Sequence, residues 1–262
     1  MSTRDIHDER PAHEIYIDFV GIGWMRLPPF TWGRITLVPV LKAYVDLPPY
    51  MRGVHLSRSY KAVRSMTSEQ VYREPEVLAE RLLSRHEYSG KALVVLKASG
   101  LVREEDDYRS FEASKRVLYA RGVGVIRRVW SYRFTTSNAC PCALQTSLEL
   151  TGRPLTHMQR VVVEVTLRAG SGHVEVDEEA LISGLSSVVQ PSLKGYLSRV
   201  EEVELIKGLV ERPMFVEDVV REVASWIRGN LKWFKGYATV RALSFESIHE
   251  YNVEAILRVE LR

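Results

Sequence analysis

The chain has 262 residues, 45% hydrophobic and 26% charged, with a formal net charge of +3. Those proportions describe an ordinary globular protein, long enough for one large domain or two of average size. They exclude a helical membrane protein, because no stretch reaches the roughly 18–20 uninterrupted apolar residues that a span requires.

Residues 1–13 are polar and charged and lack the apolar run of a secretory signal, so a cytoplasmic location is expected. Residues 14–24 and 34–45 are rich in β-branched and aromatic side chains and read as strands, broken by Pro28-Pro29. After Leu47-Pro48-Pro49, residues 55–60 open a short helix. Residues 76–86 carry Val77, Leu78, Leu82 and Leu83 at helical spacing, behind a Pro75 suited to the first turn. Residues 92–97 and 115–120 are expected to be paired strands, joined through the acidic loop 104–107.

The second half repeats that order. Residues 125–134 and 160–167 read as strands, and a polar turn is expected after Cys140-Pro141-Cys142. Residues 177–197 are helical in pattern, with Pro191 as a break or kink. Residues 214–227 form a stronger amphipathic helix with Val216, Val219, Val220 and Val223 on one face. Strands at 237–245 and 253–261 close the chain. The order is strand-strand-helix-helix-strand-strand, twice. The expected fold is α+β: a polar segment 1–13 and two ββααββ modules, 14–122 and 123–262, with antiparallel sheets and helices on one face.

Cys140 and Cys142 are the only cysteines, and His157 opens the next strand. Soft thiolate with neutral imidazole suits zinc or ferrous iron far better than magnesium or calcium. Two cysteines cannot close a four-ligand structural site without several histidines, which favours an open catalytic one. Buried cysteines are also common as small hydrophobes. Glu246 and His249, at the end of a strand, could shuttle protons, although a strand-end histidine is usually inert. The acidic start Phe215-Val216-Glu217-Asp218 is explained by the helix dipole alone. The basic cluster at residues 52–58 could hold phosphate or be a solvated turn. Gly122-Val123-Gly124 lacks the glycine spacing of a dinucleotide loop, and no Gly-Lys-Ser/Thr loop or basic-aromatic stripe argues for nucleic acid. Scarce Asn and Gln beside abundant Arg, Glu, Val and Leu lean towards a thermophilic source.

Taken together, these strings resemble the type IB GTP cyclohydrolases and their archaeal relatives that form a cyclic-phosphate dihydroneopterin. The similarity rests on Val45-Asp46-Leu47-Pro48 with Arg52-Gly53-Val54-His55-Leu56-Ser57-Arg58, on Cys140-Pro141-Cys142, on His157-Met158-Gln159-Arg160, on Phe215-Val216-Glu217-Asp218 and on Glu246-Ser247-Ile248-His249. The resemblance implies the tunnelling fold, a homotetramer with sites at subunit interfaces, and one divalent metal ion per subunit. Iron(II), zinc and manganese are all admitted. It implies Cys140, His157 and Glu202 as ligands, with Glu201 and Glu204 as rivals to Glu202. Glu217 would hold the guanine edge and His249, beside Glu246, would move protons. His55, Ser57, Arg58 and Arg160 are candidates for the phosphate tail of GTP. The chain departs from the pattern in its longer Cys140-to-His157 segment, in Met158, and in Glu250-Tyr251 where a second histidine is common. Two rivals are a nitrile reductase of the same fold and a non-catalytic guanine-nucleotide-binding protein.

Overall fold

The computed structural model describes residues 5–104, 107–170, 176–189, 193, 195–232 and 234–261. Its first half runs β1 (Ile17–Arg26), β2 (Phe30–Trp32), β3 (Ile35–Leu47), α1 (Leu56–Arg64), α2 (Ser68–Arg73), α3 (Pro75–Arg85), β4 (Lys91–Glu104) and β5 (Asp107–Ala120). The second runs β6 (Gly124–Ala139), α4 (Pro141–Thr151), β7 (Met158–Ala169), α5 (Glu178–Val188), α6 (Arg199–Glu211), α7 (Val216–Asn230), β8 (Gly236–Phe245) and β9 (Val253–Leu261). Among the described residues the strands form one antiparallel sheet in the order β1-β3-β4-β5-β6-β7-β8-β9, with β2 added to β3.

Strand alternation explains the layering. Along β3, Ile35, Leu37, Leu41, Ala43 and Val45 turn to one face and are buried, while Val38 on the other face is exposed. That buried face receives Leu78 and Leu82 of α3, Leu181 and Leu185 of α5, and Val219, Val223 and Ile227 of α7. Each fully buried aliphatic side chain contributes roughly 1.5–3 kcal/mol. The opposite face carries Lys97, Ser99, Glu112, Ser131, Arg133 and Glu164 along a trough lined, among the described residues, by strand side chains.

The two halves join where β5 turns into β6. Ala120 pairs with Gly124, and Gly122 and Gly124 take φ of 75° and 88°, a left-handed geometry that glycine adopts without penalty. Farther along the β5–β6 pairing, away from this turn, lies a buried polar cluster. Tyr72 and Tyr132 each donate to Glu178 Oε1, at 2.8 and 2.9 Å. Lys115 Nζ meets Glu178 Oε2 at 2.5 Å and donates to the Tyr72 carbonyl at 3.0 Å. Burial, followed by the Glu178 charge, holds both phenols well above the usual tyrosine range.

Four expectations are corrected. The segment after Cys140-Pro141-Cys142 is helix α4, begun by Pro141 at the first position and stopped by Gly152 at φ 66°. The helix expected over 177–197 ends at Val188, and residues 190–192 and 194 lie outside the described residues. Each half carries more helices than expected. Thr67 and Ser198 open α2 and α6 with capping boxes that a hydrophobic-periodicity reading passes over. Finally, β4 and β5 run to Glu104 and from Asp107, because polar side chains on the trough face mask the strand pattern.

Candidate active site

Strand register decides which candidates meet. The end of β6 pairs with the start of β7, Ala139 opposite Met158, and the start of β7 pairs with the end of β8, Arg160 opposite Phe245. Cys140, His157, Arg160, Glu246 and His249 therefore share one end of the sheet. Cys140 is the N-cap residue of α4. Its N–H donates to the His157 carbonyl at 3.1 Å, and Thr156 Oγ1 donates to the Cys140 carbonyl at 2.8 Å. Asn138 Nδ2 donates to the Met214 carbonyl at 3.2 Å, tying the entry of α7, and with it Glu217, to the same corner.

The side chains complete a compact polar corner. Cys140 Sγ lies 3.0 Å from Cys142 Sγ; Cys140 is buried and Cys142 exposed. The thiol contact with Cys140 pushes the Cys142 thiol above the usual range. The His157 and His249 rings stand edge-on at 6.3 Å, and His249 stacks on Tyr251 at 5.0 Å. Ser247 Oγ lies 3.5 Å from His157 Nδ1. Ser244 Oγ donates to Glu246 Oε1 at 2.8 Å. Gln159, two residues after His157, is the second residue of β7 and shares its face with Val161 and Val163. Its Oε1 is buried without a hydrogen-bond partner among the described residues, as an atom awaiting a ligand or water would be. Sequence reasoning passed over Ser247, Tyr251 and Gln159, although each sits inside or beside a string it had singled out.

Glu217 is exposed in the first turn of α7, and Glu202 is exposed in the first turn of α6. Glu202 does not join Cys140 and His157 in a group of ligand atoms within 4.8 Å; among the described residues the only group of three so close is Asp5, His7 and His55. Glu201 Oε2 accepts from the Ser198 N–H at 2.8 Å and is committed to the helix cap.

His55, Ser57 and Arg58 follow β3, whose end lies beside the start of β4, the end of β5 and the start of β6. They stand at the opposite end of the sheet from Cys140. At about 3.3 Å per residue the length of β6 separates the two ends by on the order of 40–50 Å.

The family model for type I GTP cyclohydrolase folE2 matches residues 3–255. The chain belongs to this family. Its enzyme class is accordingly that of the GTP cyclohydrolases. The GTP cyclohydrolase MptA of Aeropyrum pernix is 34% identical, over 97% of this chain and 95% of that protein. The MptA of Pyrococcus furiosus is 25% identical, over 97% and 98%. Among solved structures, uricase from Arthrobacter globiformis superposes with a TM-score of 0.54 at 8% identity, covering 93% of each chain, a likeness of fold alone. The architecture is the tunnelling fold. No helix among the described residues is long and apolar enough to cross a membrane.

Proposed function

We propose that this cyclohydrolase opens the imidazole ring of GTP by hydrolysis at C8, releasing formate and yielding a 7,8-dihydroneopterin phosphate for pterin-type cofactor synthesis. The reading is supported by the strand register that brings Cys140, His157, Glu246 and His249 to one end of the sheet, where the Cys140 N–H donates to the His157 carbonyl and Gln159 Oε1 is buried without a hydrogen-bond partner among the described residues. A cysteine sulfur and an imidazole at that corner would be a donor set suited to zinc or iron(II). Cys140 and His157 would hold one divalent ion, with Glu202 or Glu204 drawn in as third ligand. A bound ion supplies Lewis-acid activation of water.

The remaining work falls to the chain. Glu217 accepts two hydrogen bonds from the ring N–H and 2-amino group of guanine, fixing C8 for attack. Water adds at C8, the C8–N bond breaks, and His249 delivers a proton to the departing ring nitrogen. A second water then releases the formyl group as formate, with His249 again exchanging the proton. Arg160 stands at the same end for the phosphate tail. Ser57 and Arg58 would reach that tail only from a second copy of the chain, as a homo-oligomer with sites between subunits would allow, while His55 is buried with its ring nitrogens facing Asp5 and Asp8.

Incubating anaerobically purified, ferrous-loaded protein with GTP tests the reading. Formate and pterin fluorescence should appear together. Tight GTP binding without formate, or NADPH oxidation with a nitrile substrate, would overturn it.

A further inference from the structure

At the far end of the sheet the N-terminal segment folds back over the loop that follows β3. Residues Ile6–Asp8 form a single 3-10 turn. The backbone N–H groups of Arg52 and Gly53 donate to the His7 carbonyl at 3.1 and 3.3 Å, and Arg52 pairs with Glu9 at 3.0 Å. Between these straps lie four ligand-type side chains. Asp5 Oδ1 is 2.7 Å from His7 Nδ1, and Asp5 Oδ2 is 3.5 Å from His55 Nδ1. Asp8 Oδ1 is 3.1 Å from His55 Nε2, and the two imidazole rings are 4.9 Å apart.

The arrangement around His55 is chemically demanding. Its side chain is only 7% exposed, and each ring nitrogen faces a carboxylate oxygen. A neutral imidazole has one N–H. With Nε2 beside Asp8, Nδ1 lies 3.5 Å from Asp5 Oδ2, an arrangement that a bound cation between them would complete. Carboxylate on one ring nitrogen and metal on the other is the usual way a ligating histidine is oriented. Asp8 is placed for that supporting role.

We infer that Asp5, His7 and His55 form a divalent-metal site distinct from the Cys140–His157 corner, taking a first-row ion such as zinc and stapling the N-terminal segment to the 52–58 loop. One ligand atom from each residue lies within 4.8 Å of the others. Tetrahedral ligands on bonds of about 2.0–2.1 Å stand about 3.3–3.4 Å apart, so the side chains need contract by little more than an ångström. Two imidazoles and one carboxylate are a donor set for zinc or iron(II) and a poor one for magnesium or calcium. A site of this kind at the 52–58 loop would leave Ser57 and Arg58 exposed, with Arg58 Nη1 donating to the Arg85 carbonyl at 3.3 Å and His55 as their anchor.

The test separates this site from the other by working in full-length Cys140→Ala/His157→Ala protein, stripped with a chelator and titrated with zinc at pH 7.5. One equivalent should bind, and hydrogen exchange at residues 5–9 and 52–58 should slow at least tenfold on binding. Adding His7→Ala or Asp5→Ala, both at half-exposed positions, should weaken zinc at least tenfold and abolish the protection. Absence of zinc binding in the double-variant background overturns the inference, as does binding that His7→Ala and Asp5→Ala leave unchanged. Neither result depends on GTP turnover, so the cyclohydrolase reading stands or falls separately.

Discussion

The two cysteines differ in everything but sequence distance. Cys140 is buried, caps α4 and is tied through its backbone to His157, whereas Cys142 is exposed. Cys140→Ala and His157→Ala should therefore each abolish formate release and bound metal at the corner. Cys142→Ala should keep the metal and lose less than about tenfold in rate; equal loss from both would refute the assignment. Glu217→Gln leaves one acceptor and no charge where two charge-assisted bonds are proposed, each worth about 1.5–3 kcal/mol. A drop of roughly a hundredfold in kcat/KM with unchanged thermal stability is expected, measured by steady-state kinetics and calorimetry. His86 offers a pH signature. It is fully buried, with Nδ1 2.9 Å from the Leu82 carbonyl and Nε2 3.3 Å from both Ser59 Oγ and the His55 carbonyl. Burial lowers its pKa below the usual value, outweighing the raising effect of the carbonyls, while Arg58 and His55 add to the lowering. The unfolded chain thus binds a proton that the folded one resists. Stability from this group is full above pH about 6.5 and falls as the pH drops below it, with a slope of at most about 1.4 kcal/mol per unit. Denaturant melts from pH 7.5 to 5 should show a shallower decline in His86→Gln.

At the scale of elements, legibility followed hydrophobic period. Strand β9 and helices α3 and α7 stood out because their apolar faces are nearly unbroken, as in Val216, Val219, Val220 and Val223. Helix α6 was hidden because Leu209 is its one buried residue, while Val200, Val203 and Ile206 point outward, exposed, and blur any polar face. Helix α4 was hidden for a similar reason, with Leu144 its one buried residue. The site strings were legible as chemistry. Their division between two ends of the sheet was not, because only strand register separates His55 from Cys140. Ser198 gives α6 a defined start, accepting from the Glu201 N–H at 3.4 Å while Glu201 answers at 2.8 Å. Losing such a cap costs about 1 kcal/mol. Ser198→Ala should lower Tm by roughly 2–4 °C and weaken metal binding at the Cys140 corner if Glu202 or Glu204 on α6 is a ligand. Retention of full metal affinity despite the lower Tm would remove α6 from the ligand set.

The whole molecule depends on contacts that cross its halves. Glu178 of α5 draws on Tyr72 of α2, Lys115 of β5 and Tyr132 of β6, all buried. Removing one partner of a buried ion pair strands the other and costs about 3–5 kcal/mol, whereas replacing both is far milder. Lys115→Met should destabilise by that amount in denaturant titrations, and Lys115→Met/Glu178→Gln should recover most of it; a double variant no better than the single would show that the pair is not what registers the halves. The same long sheet that this cluster braces also keeps the 52–58 loop away from the Cys140 corner of its own chain. An active site between subunits would draw its metal corner from one copy and its phosphate-binding loop from another. Cys140→Ala and Arg58→Ala homo-oligomers should then both be inactive or nearly so, yet dissociating and reassembling them in equal amounts should restore about a quarter of wild-type turnover, since one site in about four receives both intact contributions. Recovery of nothing, with mixed oligomers verified by mass spectrometry, would refute a site divided between copies, whereas full activity of the Arg58→Ala homo-oligomer would place Arg58 outside the catalytic assembly and leave Arg160 to meet the phosphates alone.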